Sequence, residues 1–454
     1  MKTIWAAQAL LPTGWASDVA VTVDETGQIT DIADGQPARG HRAGILLPAP
    51  ANAHSHAFQR AMAGLTETRG PDPRDSFWTW RRLMYRFLDL LTPEQVQAIT
   101  ALVQMEMLEA GYATNVEFHY LHHQPGGVPY YDLSEMSQRI TAAALQTGIG
   151  LTLLPVQYQF GGCDRRELTA GQIRFGNDPA RFARLMEEAS RALTALPADT
   201  RLGVAPHSLR AVAPESVTEA PELAAGGPIH MHLAEQLAEV EEVQSAYGQR
   251  PVEWLLDNAH VTDQWCLIHC TQMEVHETTA LALTGAVAGL CPITESSLGD
   301  GIFDGVRWLD TQGKIAIGSD SNIRISLSEE LRTLDYSQRL RDGSRAALAT
   351  PEHSTGRRLF NAVCTGGARA AGRNAGHIAK GYLADLLALD DGHIDLAGQS
   401  GDKLLDCWIF AGDDRMVTDV WSAGRHLVKE GRHIARDQIT AAYGEAIKPL
   451  RDAL

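Results

Sequence analysis

The stretch Ala51-Asn52-Ala53-His54-Ser55-His56 closes an apolar run with two histidines one residue apart. Alternate side chains of a β-strand project to one face, so both imidazoles can reach a single ion. His232, His269 and Asp320 follow far downstream, each just past another apolar run. A (β/α)8 barrel builds its site this way, from side chains donated at the C-terminal ends of several strands. No other feature of the chain constrains the fold as tightly. An HxH pair alone is a weak signal; the pair with three polar residues closing three later strands is a strong one.

The region between the chain ends carries that architecture. Strand signals recur at 44–53, 114–119, 150–156, 202–207, 229–233, 265–270, 286–291 and 314–319, with helical patterns such as 93–110, 179–195 and 235–247 between them. Strand and helix in alternation predict an α/β fold with a closed parallel sheet. A doubly wound open sheet is the alternative, but no glycine-rich phosphate fingerprint opens any helix. At the ends, 19–23, 28–32, 382–389, 406–410 and 416–421 read as strands and 436–454 as a helix. The expected division is a (β/α)8 barrel over 49–375 and a small β-sandwich domain from 1–48 plus 376–454. The long connection 58–86, directly after the histidine pair, is expected to be a loop over the pocket mouth.

The 454 residues suffice for one large and one small domain. Six cysteines without a CxxC pair predict free thiols in a reducing compartment. No apolar stretch reaches the ~20 residues of a membrane span, and the start, Met1-Lys2-Thr3-Ile4-Trp5, lacks the apolar core of a secretory signal. The cytoplasm is the expected location and a homodimer the expected assembly. A formal net charge of −17 argues against nucleic acid or an anionic membrane as partner. An anionic small-molecule substrate would therefore need its own arginines in the pocket.

His54, His56, His232 and Asp320 form a donor set that suits Zn²⁺ with a position left for water; Fe²⁺ or Mn²⁺ can use a similar set. His230 shares a strand face with His232 and stays open as the ligand, although His232 lies nearer the strand end. Zinc lowers the pKa of a bound water from about 15.7 to about 7. Asp320 can hold the ion and accept the water's proton. Glu235, three residues after His232, can carry a proton to a leaving nitrogen; its alternative reading is a first-turn acid favoured by the helix dipole. His269 is placed to hydrogen-bond the oxygen that develops charge.

These residues resemble the amidohydrolase superfamily. The likeness covers nearly the whole chain and includes Gly376-His377-Ile378-Ala379-Lys380-Gly381-Tyr382-Leu383-Ala384-Asp385-Leu386, similar to the superfamily's return segment. Many members bridge two metals with a carboxylated lysine at the end of strand four. Here that strand ends Gly203-Val204-Ala205-Pro206-His207, so the resemblance is to the one-metal deaminase branch. Asn52-Ala53-His54-Ser55-His56-Ala57-Phe58-Gln59-Arg60, Ser76-Phe77-Trp78-Thr79-Trp80-Arg81, Glu117-Phe118-His119-Tyr120 and Pro206-His207-Ser208-Leu209-Arg210 narrow it to the formimidoylglutamate deiminases. That resemblance implies substrate contacts from Gln59, Arg81, Tyr120, His207 and Arg210. It also implies hydrolysis of N-formimidoyl-L-glutamate to N-formyl-L-glutamate and ammonia in histidine breakdown.

The residues agree with this in kind. Arginine grips a carboxylate with paired, charge-assisted hydrogen bonds, each contributing about 1.5–3 kcal/mol. Repulsion from the net charge is screened beyond ~8 Å at physiological salt. Arg82, beside Arg81, is the alternative partner for its carboxylate. Two other readings remain: a ring deaminase or chlorohydrolase of aminopurines or triazines, and a non-catalytic scaffold on the same barrel.

Overall fold

Eight barrel strands run Ala51–Ser55, Thr114–His119, Gly150–Gln157, Arg201–Leu202 continued by Ala205–Pro206, Ile229–Leu233, Trp265–His269, Val287–Leu290 and Lys314–Ile317. The structure, a computed structural model, describes residues 1–67 and 77–453, with backbone alone at 77–79, 81, 82 and 170. Neighbouring strands pair in parallel. Strand eight joins strand one at Ile317↔Asn52 and at the Ser55↔Asp320 bridge, and strand four joins strand five at Val204↔Ile229. The sheet thus closes on itself. Helices cover it, so strand three is buried at every position from Gly150 to Gln157.

Helix boundaries follow local chemistry. Thr92 accepts from the Gln95 amide and Gln95 returns the bond, with Pro93 opening the helix Pro93–Glu109. Asp178 caps Pro179–Leu193 in the same manner, accepting from the Arg181 amide.

Both chain ends build one separate sheet. Its order is Arg432–His433, Arg425–Lys429, Val417–Ser422, Leu386–Leu389, His41–Pro48, Lys2–Leu11, Gly14–Val23 and Ile29–Ala33. Among the described residues no helix is long and apolar enough to cross a membrane, and all six cysteines are free.

Three expectations need correction. The strand expected at 44–53 is two strands in different sheets, His41–Pro48 and Ala51–Ser55; Pro48 and Pro50 lack the amide that a continuous ladder requires. Residues 406–410 lie in a helix, Asp402–Phe410, which buries Leu404, Leu405, Trp408 and Ile409 at helical spacing. A short apolar run does not distinguish the two periods. The connection 58–86 is not one loop: it holds a 3-10 helix, Ala57–Met62, and a helix, Phe77–Leu88, while 68–76 lie outside the described residues.

A buried ionic cluster joins sheet to barrel. Arg373 sits 2.9 Å from Asp199 and 3.0 Å from Asp385, and Arg425 pairs with Asp199 at 2.8 Å. Burial pushes Asp199 up, but Arg425 and Arg373 hold it down at about 2. Arg373→Met leaves Asp385 without its cation in the interior. That should cost about 3–5 kcal/mol, read as a lower urea midpoint; an unchanged midpoint would show that the cluster adds nothing to stability.

Candidate active site

Strand closure assembles the site. The Asp320 amide donates to the His54 carbonyl at 2.9 Å and the His56 amide to the Asp320 carbonyl at 2.9 Å. Backbone pairing of strands one and eight therefore sets the Asp320 carboxylate over both histidines. A Cβ at Gly318 would lie 2.7 Å from His54 backbone and side-chain atoms, so the close approach requires glycine. Ala234, His269 and Asp320 have left-handed φ of 51°, 70° and 45°. Such backbone costs about 1–3 kcal/mol per residue and clusters at functional sites; here it marks the points where chain leaves strand at the barrel rim.

His54 Nε2 lies 3.2 Å from His56 Nε2 and 3.1 Å from His232 Nε2. Asp320 Oδ1 lies 3.4 Å from His54 Nε2 and 3.2 Å from His56 Nε2. His56 Nδ1 donates to the Phe118 carbonyl at 3.0 Å and His232 Nδ1 to the His207 carbonyl at 3.1 Å. A carbonyl only accepts, so both rings carry their proton on Nδ1 and present bare Nε2 lone pairs inward. Lone pairs facing at this distance repel unless a cation sits among them. The donor set, all buried, fits a divalent ion. Burial holds all three imidazoles below their ordinary range, and neighbouring rings add to this at His54 and His232; neutral imidazole is the form that ligates.

His230 turns to a different partner. Its Nε2 bonds the Ala370 carbonyl at 2.8 Å, below the cluster, and burial lowers its pKa to about 4. His232, one pleat further along, is the residue that converges with the other three.

Glu235 is buried beside this group. Its helix starts only at Leu237, so it is not a first-turn acid. Glu239 fills that part, accepting from the Ala234 and Glu235 amides at 3.2 and 2.9 Å, and leaves the Glu235 carboxyl for the cavity. Burial raises the Glu235 pKa against the pull of His269. His269 Nε2 lies 3.8 Å from Glu235 and 3.9 Å from Asp320, and Glu295 holds its Nδ1 at 3.2 Å. Sequence reasoning missed Glu295 and Glu239. The available signal for Glu295 was its place in the helix Pro292–Leu298, immediately after strand seven, the one late strand given no residue.

These groups open onto a cavity of about 700 Å³, its mouth included, also walled by Gln59, Trp80, Tyr120, Tyr158, His207 and Arg210. Gln59 donates to the Tyr120 hydroxyl at 2.6 Å, while its buried Oε1 has no hydrogen-bond partner among the described residues. Arg210 Nε is likewise buried without a hydrogen-bond partner among the described residues. Burial works against its charge, but Glu239 and Glu235 outweigh this and keep the guanidinium protonated. Of the sequence-predicted substrate contacts, Gln59, Tyr120, His207 and Arg210 share this cavity. Arg81 and its rival Arg82 lie outside the described side chains; their helix places Trp80, Met84 and Tyr85 on the wall.

Residues 45–427 match the Amidohydrolase family, and residues 1–42 match the N-terminal domain of formimidoylglutamate deiminase HutF. The chain is 46% identical to the formimidoylglutamate deiminase of Pseudomonas aeruginosa over the full length of both. A 5-methylthioadenosine/S-adenosylhomocysteine deaminase of Natronomonas pharaonis is 28% identical, over 85% of this chain and 83% of that one. The crystal structure of an amidohydrolase from Brucella melitensis superposes with a TM-score of 0.95 at 47% identity, covering 99% of this chain and all of that one. On family match, full-length identity and the closed parallel sheet, the chain belongs to the amidohydrolase family.

Proposed function

We propose that the chain hydrolyses N-formimidoyl-L-glutamate, releasing its imino nitrogen as ammonia and leaving N-formyl-L-glutamate, a reaction of histidine breakdown. One observation carries this reading beyond the full-length relative. The cavity that holds the His/His/His/Asp group also holds a buried acceptor, Gln59 Oε1, and a buried cationic donor, Arg210 Nε, neither with a hydrogen-bond partner among the described residues. The substrate offers the complement: amidine N–H donors at one end, two carboxylates at the other.

His54, His56, His232 and Asp320 would hold the ion, with Zn²⁺ ahead of Fe²⁺ or Mn²⁺ on donor chemistry. A divalent ion there supplies Lewis acidity and a more acidic water. Asp320 and Glu235 take up the proton that the attacking water loses. Glu235 delivers a proton to the departing nitrogen. His269, its ring fixed by Glu295, donates from Nε2 toward the reacting centre. Gln59 Oε1 accepts from the amidine and Arg210 takes one carboxylate. The resemblance gives the other carboxylate to Arg81, with Arg82 as the alternative; both side chains lie outside the described ones.

The test is ammonia release from N-formimidoyl-L-glutamate and from guanine with the same metal-loaded sample. Ammonia from the first substrate is expected. Turnover of guanine with none of formimidoylglutamate would overturn the reading in favour of a ring deaminase.

A further inference from the structure

Outside the barrel a second group of metal-ligating side chains converges. His41 opens the strand His41–Pro48, Asp419 lies in Val417–Ser422 and His426 in Arg425–Lys429. His426 Nε2 lies 2.7 Å from Asp419 Oδ1, and His41 Nε2 lies 3.1 Å from the same oxygen. All three ligand atoms fall within 4.8 Å of one another. The two imidazoles meet edge to face at 4.6 Å, and Trp421 stacks on His426 at 4.5 Å, which fixes that ring.

Hydrogen bonding accounts for only half of this arrangement. His426 and Asp419 share a hydrogen bond at 2.7 Å. His41 Nε2 is buried and makes no hydrogen bond among the described residues, although the Asp419 oxygen is only 3.1 Å away. The contact therefore fails on direction, not on reach. Coordination has no such requirement along a line between two ligands; it asks that each lone pair point at a shared centre. Ligands about 2.0–2.1 Å from a tetrahedral zinc lie about 3.3 Å apart; the His41–Asp419 separation of 3.1 Å is close to that, and the 2.7 Å His426–Asp419 hydrogen bond would open by about 0.6 Å as Nε2 exchanges its proton for the ion. The His41 side chain is 37% exposed although its Nε2 is buried, so the group lies just beneath the surface.

We propose that His41, Asp419 and His426 form a second divalent-metal site, specific for zinc or another late first-row ion, with water completing the shell. Two imidazoles and one carboxylate suit such an ion, whereas magnesium and calcium call for an all-oxygen set. The ion clips the first residue of a strand from the N-terminal part of the chain to a hairpin from the C-terminal part. None of the three residues belongs to the hydrolytic cavity, so the site acts on the cohesion of the β domain and not on turnover.

The full-length protein is stripped with a chelator, dialysed against zinc, desalted and analysed for metal per chain. Two zinc ions per wild-type chain are expected. His426→Gln and His41→Gln should each retain one and keep the wild-type rate of ammonia release. The double variant His54→Asn/His56→Asn should also retain one, through the β-domain site. Nickel added to the stripped protein should quench Trp421 fluorescence in the wild type and not in His426→Gln. One zinc per wild-type chain, or two zinc ions retained by both His41→Gln and His426→Gln, would overturn the proposal. Metal content is independent of the substrate, so failure here is distinguishable from failure of the hydrolase reading.

Discussion

Glu235→Gln should bind metal as the wild type does and release ammonia about 10²–10⁴-fold more slowly, the range of a lost general acid–base group. The substitution keeps volume and shape and removes only the ability to exchange a proton. Glu235 is not among the four converging ligands, so metal content should hold. The turn should hold too, because its amides are tied by Glu239 at 3.2 and 2.9 Å and its carbonyl by the Thr271 hydroxyl at 2.7 Å, neither through the Glu235 carboxyl. The loss should fall on kcat with KM little changed, since the proton moves only in the reaction. Full metal occupancy with a near-normal kcat would remove Glu235 from the chemistry. A loss of metal in parallel with activity would instead make it a support for the ligand set.

The barrel could be read from the chain because strands and crossovers differ in period, and because most of the strand runs are largely apolar and close on or near a polar residue. His54 and His56 announce themselves by spacing. His232 and Asp320 do so by position after a run, which is why all four converge as expected. The choice between His230 and His232 needed coordinates, since both occupy one strand face and only the Ala370 carbonyl tells them apart.

What stayed hidden is tertiary in origin. Glu295 contacts the His269 ring at 3.2 Å, and nothing in the residues Cys291-Pro292-Ile293-Thr294-Glu295 alone distinguishes it from an ordinary helix acid. The left-handed backbone at Ala234, His269 and Asp320 is imposed by closure of the barrel, against the preference of each residue. The helix Asp402–Phe410 was misread as a strand because five residues of mixed apolar character fit either period. The β-domain cluster was equally invisible: His41 is separated in sequence from Asp419 and His426 by the entire barrel, and the two parts meet only in the folded sheet.

Arg210→Met should lower kcat/KM for N-formimidoyl-L-glutamate by about 30- to 5,000-fold, the equivalent of about 2–5 kcal/mol for removing one partner of a buried charge pair. Methionine keeps much of the length and fills the same wall, so the cavity should not collapse. The guanidinium makes no hydrogen bond at Nε among the described residues, but Glu239 and Glu235 feel its charge, so its removal strands the substrate carboxylate and also leaves those two carboxylates less compensated. Arg210→Lys restores charge without the planar fork and should recover only part of the loss. An uncharged N-formimidoyl amine supplies the control, because it shares the reacting centre and lacks the carboxylates. Its rate should change little in Arg210→Met. Equal losses on both substrates would place Arg210 in the electrostatics of Glu235 and Glu239, whose charges already hold its pKa up, and would take the carboxylate contact away from it.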